Sequence, residues 1–261
     1  MAGVGAVFTG AGHNLAAAHP PGAPRPPGGP DPSTCGSRGS QDHLWQAVQH
    51  CNSGGTGCTA LQVNANDYVF AGTNSHNFIT VPRERVNGIE CPWICESSAP
   101  NYWQDAQNWA HTPPTTVGAP TGLGINSKAN RQADQLHIHM AEVRGISRTD
   151  VINQNAAAAS TFATWPNSRV SIRGYSAAQQ QYIPHVYRVL TLQTFSNTNL
   201  FAHLRNMVGQ SQMQYQTLIV IPRPPGLGGG YYIVNSQLTL RDPAHTSLVG
   251  SNTCDPLLYL A

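Results

Sequence analysis

The chain is short of charge. Only 10% of its 261 residues are Asp, Glu, Lys or Arg, the net charge is +2 with histidine neutral, and Lys128 is its single lysine. There is no polybasic run, which argues against a nucleic-acid partner, because phosphate backbones are gripped by clustered cations. No apolar run reaches the roughly 20 residues that a membrane-spanning helix needs. The stretch "VGAVFTGAGHNLAAAH" is interrupted by Gly, His and Asn and is too short to read as a signal peptide.

The six cysteines stand at positions 35, 51, 58, 91, 95 and 254. The close pairs Cys51/Cys58 and Cys91/Cys95 lack the two-residue spacing of zinc-binding pairs. Cys51 and Cys58 bracket the flexible spacer "NSGGTG", so a disulfide is expected there. It would place the chain outside the cytosol; the alternative is six unrelated buried thiols.

Texture divides the chain. Residues 1–40 read as a flexible Pro/Gly-rich tail, since "HPPGAPRPPGGPDPSTCGSRGS" offers little apolar area to bury. Residues 41–261 read as one folded domain. It opens with a helix over "QDHLWQAVQHC", with Leu44, Trp45 and Val48 on one face. A hairpin follows from "LQVNANDYVFAG" and "HNFITVPRE", then a helix over "SSAPNYWQDAQNWAHT" with Pro100 in its first turn. The segment 121–143 reads as strand, loop and strand, and "RTDVINQNAAAASTFATW" as a helix capped by Thr149 or Asp150. "HVYRVLTLQTF" is strand-like, "NTNLFAHLRNMVG" is a helix ended by Gly209, and "PPGLGGG" joins a last hairpin. Hairpins separated by helices imply an α+β fold with an antiparallel sheet flanked by helices. The hairpins at 61–84 and 215–240 are alike in length and texture, a weak hint of duplication.

In "DQLHIHMAEV" the polar Gln135, His137 and His139 alternate with Leu136, Ile138 and Met140. Period-two alternation predicts a strand with the polar trio on one face, about 6.6 Å apart along it. Two histidines in this pattern fit a nucleophilic imidazole with a companion, a metal site lacking its further ligands, or a structural pair. No spaced Glu or His follows to complete a metal set. His43, His50, His76, His111, His185, His203 and His245 are scattered, and read as surface or core groups.

Taken in order, "GIE.P", "PNYW", "INS" and "QLHIH" resemble the CDP-diacylglycerol pyrophosphatase family of the histidine-triad superfamily, from "LWQAVQHC" to the last hairpin. The resemblance implies a histidine-triad-like fold and hydrolysis of CDP-diacylglycerol to CMP and phosphatidate, with no metal or other cofactor. It assigns the nucleophile to His137 and a hydrogen bond to phosphate or leaving group to His139. Gln135 stands where that superfamily has the first histidine; its amide is expected to orient the nucleophile's ring, and it cannot titrate. The phosphates would be cradled by Asn126, Ser127, Lys128, Arg131 and Gln132. Trp93, Tyr102 and Trp103 could stack on the base, although core packing is their commoner fate. Alternatives are a hydrolase or transferase for another nucleotide diphosphate, or a non-catalytic nucleotide or lipid-headgroup binder. Bacterial members typically carry a membrane-spanning N-terminus, which is not visible here. The expectation is therefore a shortened start, or a protein meeting its substrate by transient contact with a membrane surface. An extracytoplasmic or membrane-associated location follows from the cysteines and the resemblance.

Overall fold

The computed structural model describes Cys35 and residues 42–54, 56–72, 77–242, 244 and 247–260. Its first helix, α1 (His43–Asn52), starts where Asp42 accepts hydrogen bonds from the Leu44 and Trp45 amides at 3.0 and 3.4 Å. Such a cap satisfies amides that a helix start otherwise leaves unpaired. Among the described residues nine strands follow: β1 (Gln62–Val63), β2 (Asp67–Ala71), β3 (Phe78–Pro82), β4 (Thr121–Ile125), β5 (Ile138–Glu142), β6 (Arg169–Ser176), β7 (Gln181–Leu192), β8 (Thr217–Pro222) and β9 (Tyr231–Ser236). Three more helices interleave with them: α2 (Tyr102–Trp109), α3 (Gly145–Asn153) and α4 (Leu200–Val208). Among the described residues, no helix is long and apolar enough to cross a membrane.

The strands form one antiparallel sheet in the order β1-β2-β3-β5-β4-β8-β9-β7-β6. That order is a palindrome of topology. The unit β2-β3-α2-β4-β5 recurs as β6-β7-α4-β8-β9, and the two units meet where β4 pairs with β8. The repeat therefore matches the first hairpin with β6–β7, not with the last hairpin as texture suggested. β6 was not expected at all, although Val170 and Ile172 alternate inward along it.

Each face of the sheet has its own core. On one, α2 and α4 bring Trp103, Ala106, Phe201 and Leu204 against Leu123, Ile125, Ile138, Met140, Leu218 and Ile233. The other carries two clusters. α1 places Leu44, Trp45 and Val48 over Tyr68, Phe70 and Val81, while Cys254, Leu257 and Leu258 cover Ile219, Val234 and neighbouring residues. The C-terminal segment lies this close because β4 offers no side chain beneath it. A Cβ on Gly124 would stand 2.7 Å from Cβ of Cys254, and one on Gly122 would stand 2.5 Å from Leu258.

Two helical expectations shift. Asn101 caps α2, accepting from the Gln104 amide at 3.2 Å, so Pro100 precedes the helix instead of lying in its first turn. α3 starts at Gly145 and ends at Asn153, and Asp150 pairs with Arg173 at 2.7 Å rather than capping. The alanine run beyond it leaves the helix because Ala159 joins the β7 backbone, with bonds of 2.8 Å to Val189 and Thr191. Tertiary pairing overrides helix propensity there.

The Cys51–Cys58 disulfide is present, and a second joins Cys35 to Cys91. Cys35 falls within the expected tail, yet it is buried and its carbonyl accepts from the Asn87 amide at 3.0 Å. The rest of residues 1–41 lies outside the described residues. Cys95 and Cys254 are buried free thiols.

Two predictions follow from this packing. Replacing Gly124 with Val should lower unfolding stability by about 1–3 kcal/mol, since the new side chain collides with Cys254; an unchanged urea midpoint would contradict the close approach. Non-reducing peptide mapping of protein from its native source should recover both cross-linked pairs, with Cys95 and Cys254 alkylated only after unfolding. Alkylation of all six cysteines would rule the bridges out.

Candidate active site

β5 begins at Ile138, so His139 lies in the strand and His137 just before it. Leu136, Ile138 and Met140 are fully buried in the core beneath α2 and α4. Alternation then sends His137 and His139 to the opposite face. There the strand register sets Ile79 on one side of His139 and Gly124 on the other. Ile79 packs in the α1 cluster, and Gly124 lies under Cys254 and Leu258. The histidines thus occupy the strip between α1 and the C-terminal segment.

Gln135 is tied from every polar atom. Its Nε2 donates to the carbonyls of Pro82 and Glu84 at 2.9 and 2.7 Å, and its Oε1 accepts from Arg85 Nη1 and the Val86 amide, both at 3.1 Å. Its backbone N–H donates to Asp42 Oδ2, and that carboxylate forms a 2.9 Å ion pair with Arg85. Both members of the pair are buried, with 4% and 3% of their side chains exposed. The amide consequently cannot orient the His137 ring, contrary to expectation. The backbone does so: the Gln135 carbonyl lies 2.8 Å from His137 Nδ1.

A carbonyl can only accept, so this bond holds the proton on Nδ1 and leaves the lone pair on Nε2. Nε2 makes no hydrogen bond to a described residue. Burial lowers the His137 pKa below its ordinary value, and the neighbouring Arg131 and His43 act in the same sense. The Gln135 carbonyl and Asp42 act in the opposite sense. The His139 ring stands edge-on to that of His137, centroids 5.1 Å apart. Both of its nitrogens are buried without a partner among the described residues, and burial, with His137 second, pushes its pKa down to about 3. At neutral pH both rings are uncharged.

The loop from Asn126 to Asp134 departs from the expected open cradle. Arg131 is enclosed by two carboxylates, Glu90 at 2.5 Å and Asp134 at 2.7 Å, with 4% of its side chain exposed. Gly88, at φ +52°, makes room for it, because a Cβ there would stand 1.9 Å from Nη1. Asn126 holds the C-terminal segment, accepting from the Cys254 amide at 2.8 Å and Thr253 Oγ1 at 3.0 Å. The Ser127 amide donates to the Asn252 carbonyl at 3.0 Å, and its hydroxyl is buried without a partner among the described residues. These three residues therefore build the strip's borders and do not offer open phosphate donors. Lys128 and Gln132 are exposed, and Lys128 forms no ion pair among the described residues.

Trp93, Tyr102 and Trp103 all lie in the core, at 5%, 1% and 1% exposure, so none is open to a base. Among the described residues, no group of three His, Cys, Asp or Glu side chains is arranged to hold a metal. Asp42, His43 and Arg85 were not singled out from the sequence. Their part in the site depends on α1 and the loop after β3 meeting at Gln135, which no local pattern encodes.

The family model for CDP-diacylglycerol pyrophosphatase matches residues 39–256. Over 90 residues the chain is 31% identical to a CDP-diacylglycerol pyrophosphatase of Yersinia pestis, covering 32% of this chain and 35% of that protein. Over 189 residues it is 28% identical to a probable CDP-diacylglycerol pyrophosphatase of Mycobacterium leprae (strain TN), covering 66% and 65% of the two chains. The matches thus span about a third and just under two thirds of these relatives. The family match extends from just before α1 to the C-terminal segment and encloses the whole histidine strip, and the chain belongs to the CDP-diacylglycerol pyrophosphatase family.

Proposed function

We propose that the protein hydrolyses the diphosphate bond of CDP-diacylglycerol, giving CMP and phosphatidate, with His137 as the nucleophile. The observation that carries this reading is the His137 ring itself, whose Nδ1 is engaged by the Gln135 carbonyl and whose Nε2 makes no hydrogen bond to a described residue. Nε2 attacks one phosphorus; the new P–N bond forms as its bond to the bridging oxygen breaks, and that oxygen leaves with the other phosphorus as a phosphate monoester. Water then attacks the same phosphorus and gives up a proton to solvent, the P–N bond breaks, and Nε2 recovers its lone pair. Splitting the reaction in this way lets the ring accept a phosphoryl centre that water attacks poorly alone.

His139 serves as a neutral hydrogen-bond donor to a phosphoryl oxygen. With a pKa near 3 it is not protonated at neutral pH, so it offers one N–H and no cationic charge. Lys128 is the exposed cation of the loop and the candidate partner for the diphosphate. Arg131, closed off by Glu90 and Asp134, contributes through its field at His137 and not by contact. The two disulfides are compatible with an extracytoplasmic location, where the lipid part of the substrate would require contact with a membrane surface.

Changing His137 to Asn should reduce CMP release from CDP-diacylglycerol on the order of a thousandfold or more with the circular dichroism spectrum unchanged. Radiolabelled substrate and an alkaline quench should trap label on wild-type protein and none on the variant. More than a few per cent residual activity would exclude the covalent route. The pH profile supplies a second check. A lowered His137 pKa keeps the ring neutral at and above pH 6.5, so kcat/KM should lose activity only below its ordinary value of about 6.5. An acid limb centred above 6.5 would contradict this assignment.

Lys128 gives a third test. Replacement by Ala should lower kcat/KM about 10- to 100-fold, chiefly through KM, while activity persists in chelator. Loss of activity in chelator, or unchanged kinetics of the variant, would return the histidine pair to a metal-site reading.

A further inference from the structure

The carboxylate of Asp42 joins two elements that are far apart in sequence. Its Oδ1 caps α1 through the Leu44 and Trp45 amides. Its Oδ2 takes both the Gln135 backbone N–H and Arg85 Nη1. Arg85 in turn donates to Gln135 Oε1, closing a ring of contacts around residue 135. The Leu136 amide donates to the Val86 carbonyl at 2.6 Å, so the chain immediately after Gln135 is held as well. Within this frame, the single free polar vector of residue 135 is its carbonyl, and that carbonyl meets His137 Nδ1 at 2.8 Å.

We propose that Asp42 is a positioning residue for the hydrolysis: locked against Arg85, it fixes residue 135 so that its carbonyl keeps the proton on His137 Nδ1 and the lone pair on Nε2. This goes beyond the assignment of His137 as nucleophile and rests on it. Two features make the carboxylate more than a helix cap. A cap needs one oxygen, whereas the second oxygen is committed to Gln135 and Arg85. A buried ion pair is also a rigid frame, because neither partner can leave without stranding the other. Groups that orient metal-bound imidazoles change activity by about 10- to 100-fold when removed, and an effect of the same order is expected for an imidazole oriented to attack phosphorus.

Among the described residues, the titratable and charged groups facing His137 are Asp42 and His43 from the start of α1, Arg131 from the loop and His139 from β5. Asp42 is the one anion among them, so removing it lowers the proton affinity of His137 further. In Asp42→Asn, kcat should fall about 10- to 100-fold with KM changed less than about threefold. The acid limb of the pH profile should move to lower pH. Nitrogen-15 shifts of the His137 ring should change from a single Nδ1–H tautomer to a mixture. A purely structural role would lower thermal stability and leave the limb and tautomer where they were.

The double variant Asp42→Asn/Arg85→Met removes both charges and guards against a single variant that fails to fold. It should regain thermal stability relative to Asp42→Asn but not kcat. A folded Asp42→Asn protein with wild-type kcat, limb and tautomer would overturn the inference, as would a double variant that recovers kcat. His137→Asn in the same assay separates the two levels. If it stays active, the nucleophile assignment fails; if it is dead while Asp42→Asn behaves as wild type, only the positioning role fails.

Discussion

The site depends on one buried side-chain amide. Gln135 donates twice and accepts twice through its side chain, with backbone carbonyls or amides for three of the four bonds and Arg85 for the other. In a low-dielectric interior, an unsatisfied amide is costly, so these contacts act together to fix one orientation of the chain. A histidine at this position could not match that pattern, since a neutral imidazole has one donor and one acceptor. The glutamine is therefore suited to a structural task, and the neighbouring backbone carbonyl takes the orienting role.

The repeated ββαββ unit explains where the histidines can stand. Two such units joined through β4 and β8 give a wide sheet whose one face is covered by α2 and α4. The other face is covered from two sides, by α1 and by the C-terminal segment, and β5 runs between them. Gly124 lets that segment lie directly on the sheet beside His139, and Asn126 and Ser127 hold it there. The neutral state of both imidazoles follows from this enclosure, because charging a buried ring loses hydration that the site does not replace.

The short motifs acquire physical meaning from the same geometry. Gly88 and Glu90 of "GIE" make room for Arg131 and neutralise it, while Asn101 of "PNYW" caps α2 and donates to the Phe195 and Ser196 carbonyls at 2.8 and 3.0 Å. Tyr102 and Trp103 then fill the core beneath the helix. Asn126 and Ser127 of "INS" bind the chain's own C-terminal segment. Gly88, Glu90, Asn126 and Ser127 thus border the histidine strip, whereas Asn101, Tyr102 and Trp103 build the core on the opposite face of the sheet.

The sequence by itself determined the α+β class, the strand–loop–strand around "QLHIH", the burial of Leu136, Ile138 and Met140, and the Cys51–Cys58 bridge. Each is a local matter: period-two alternation, a cap or a turn residue, or two cysteines seven positions apart. Tertiary structure decided the rest. The Arg131 guanidinium became closed because Glu90 arrives from 41 positions away, and Gln135 was tied because Asp42 arrives from 93 positions away. The alanine run after α3 left its helix for β7, and Cys35 found Cys91, for the same reason. A side chain's type states which bonds it can make, but its partner is chosen by which distant backbone the fold brings within about 3 Å.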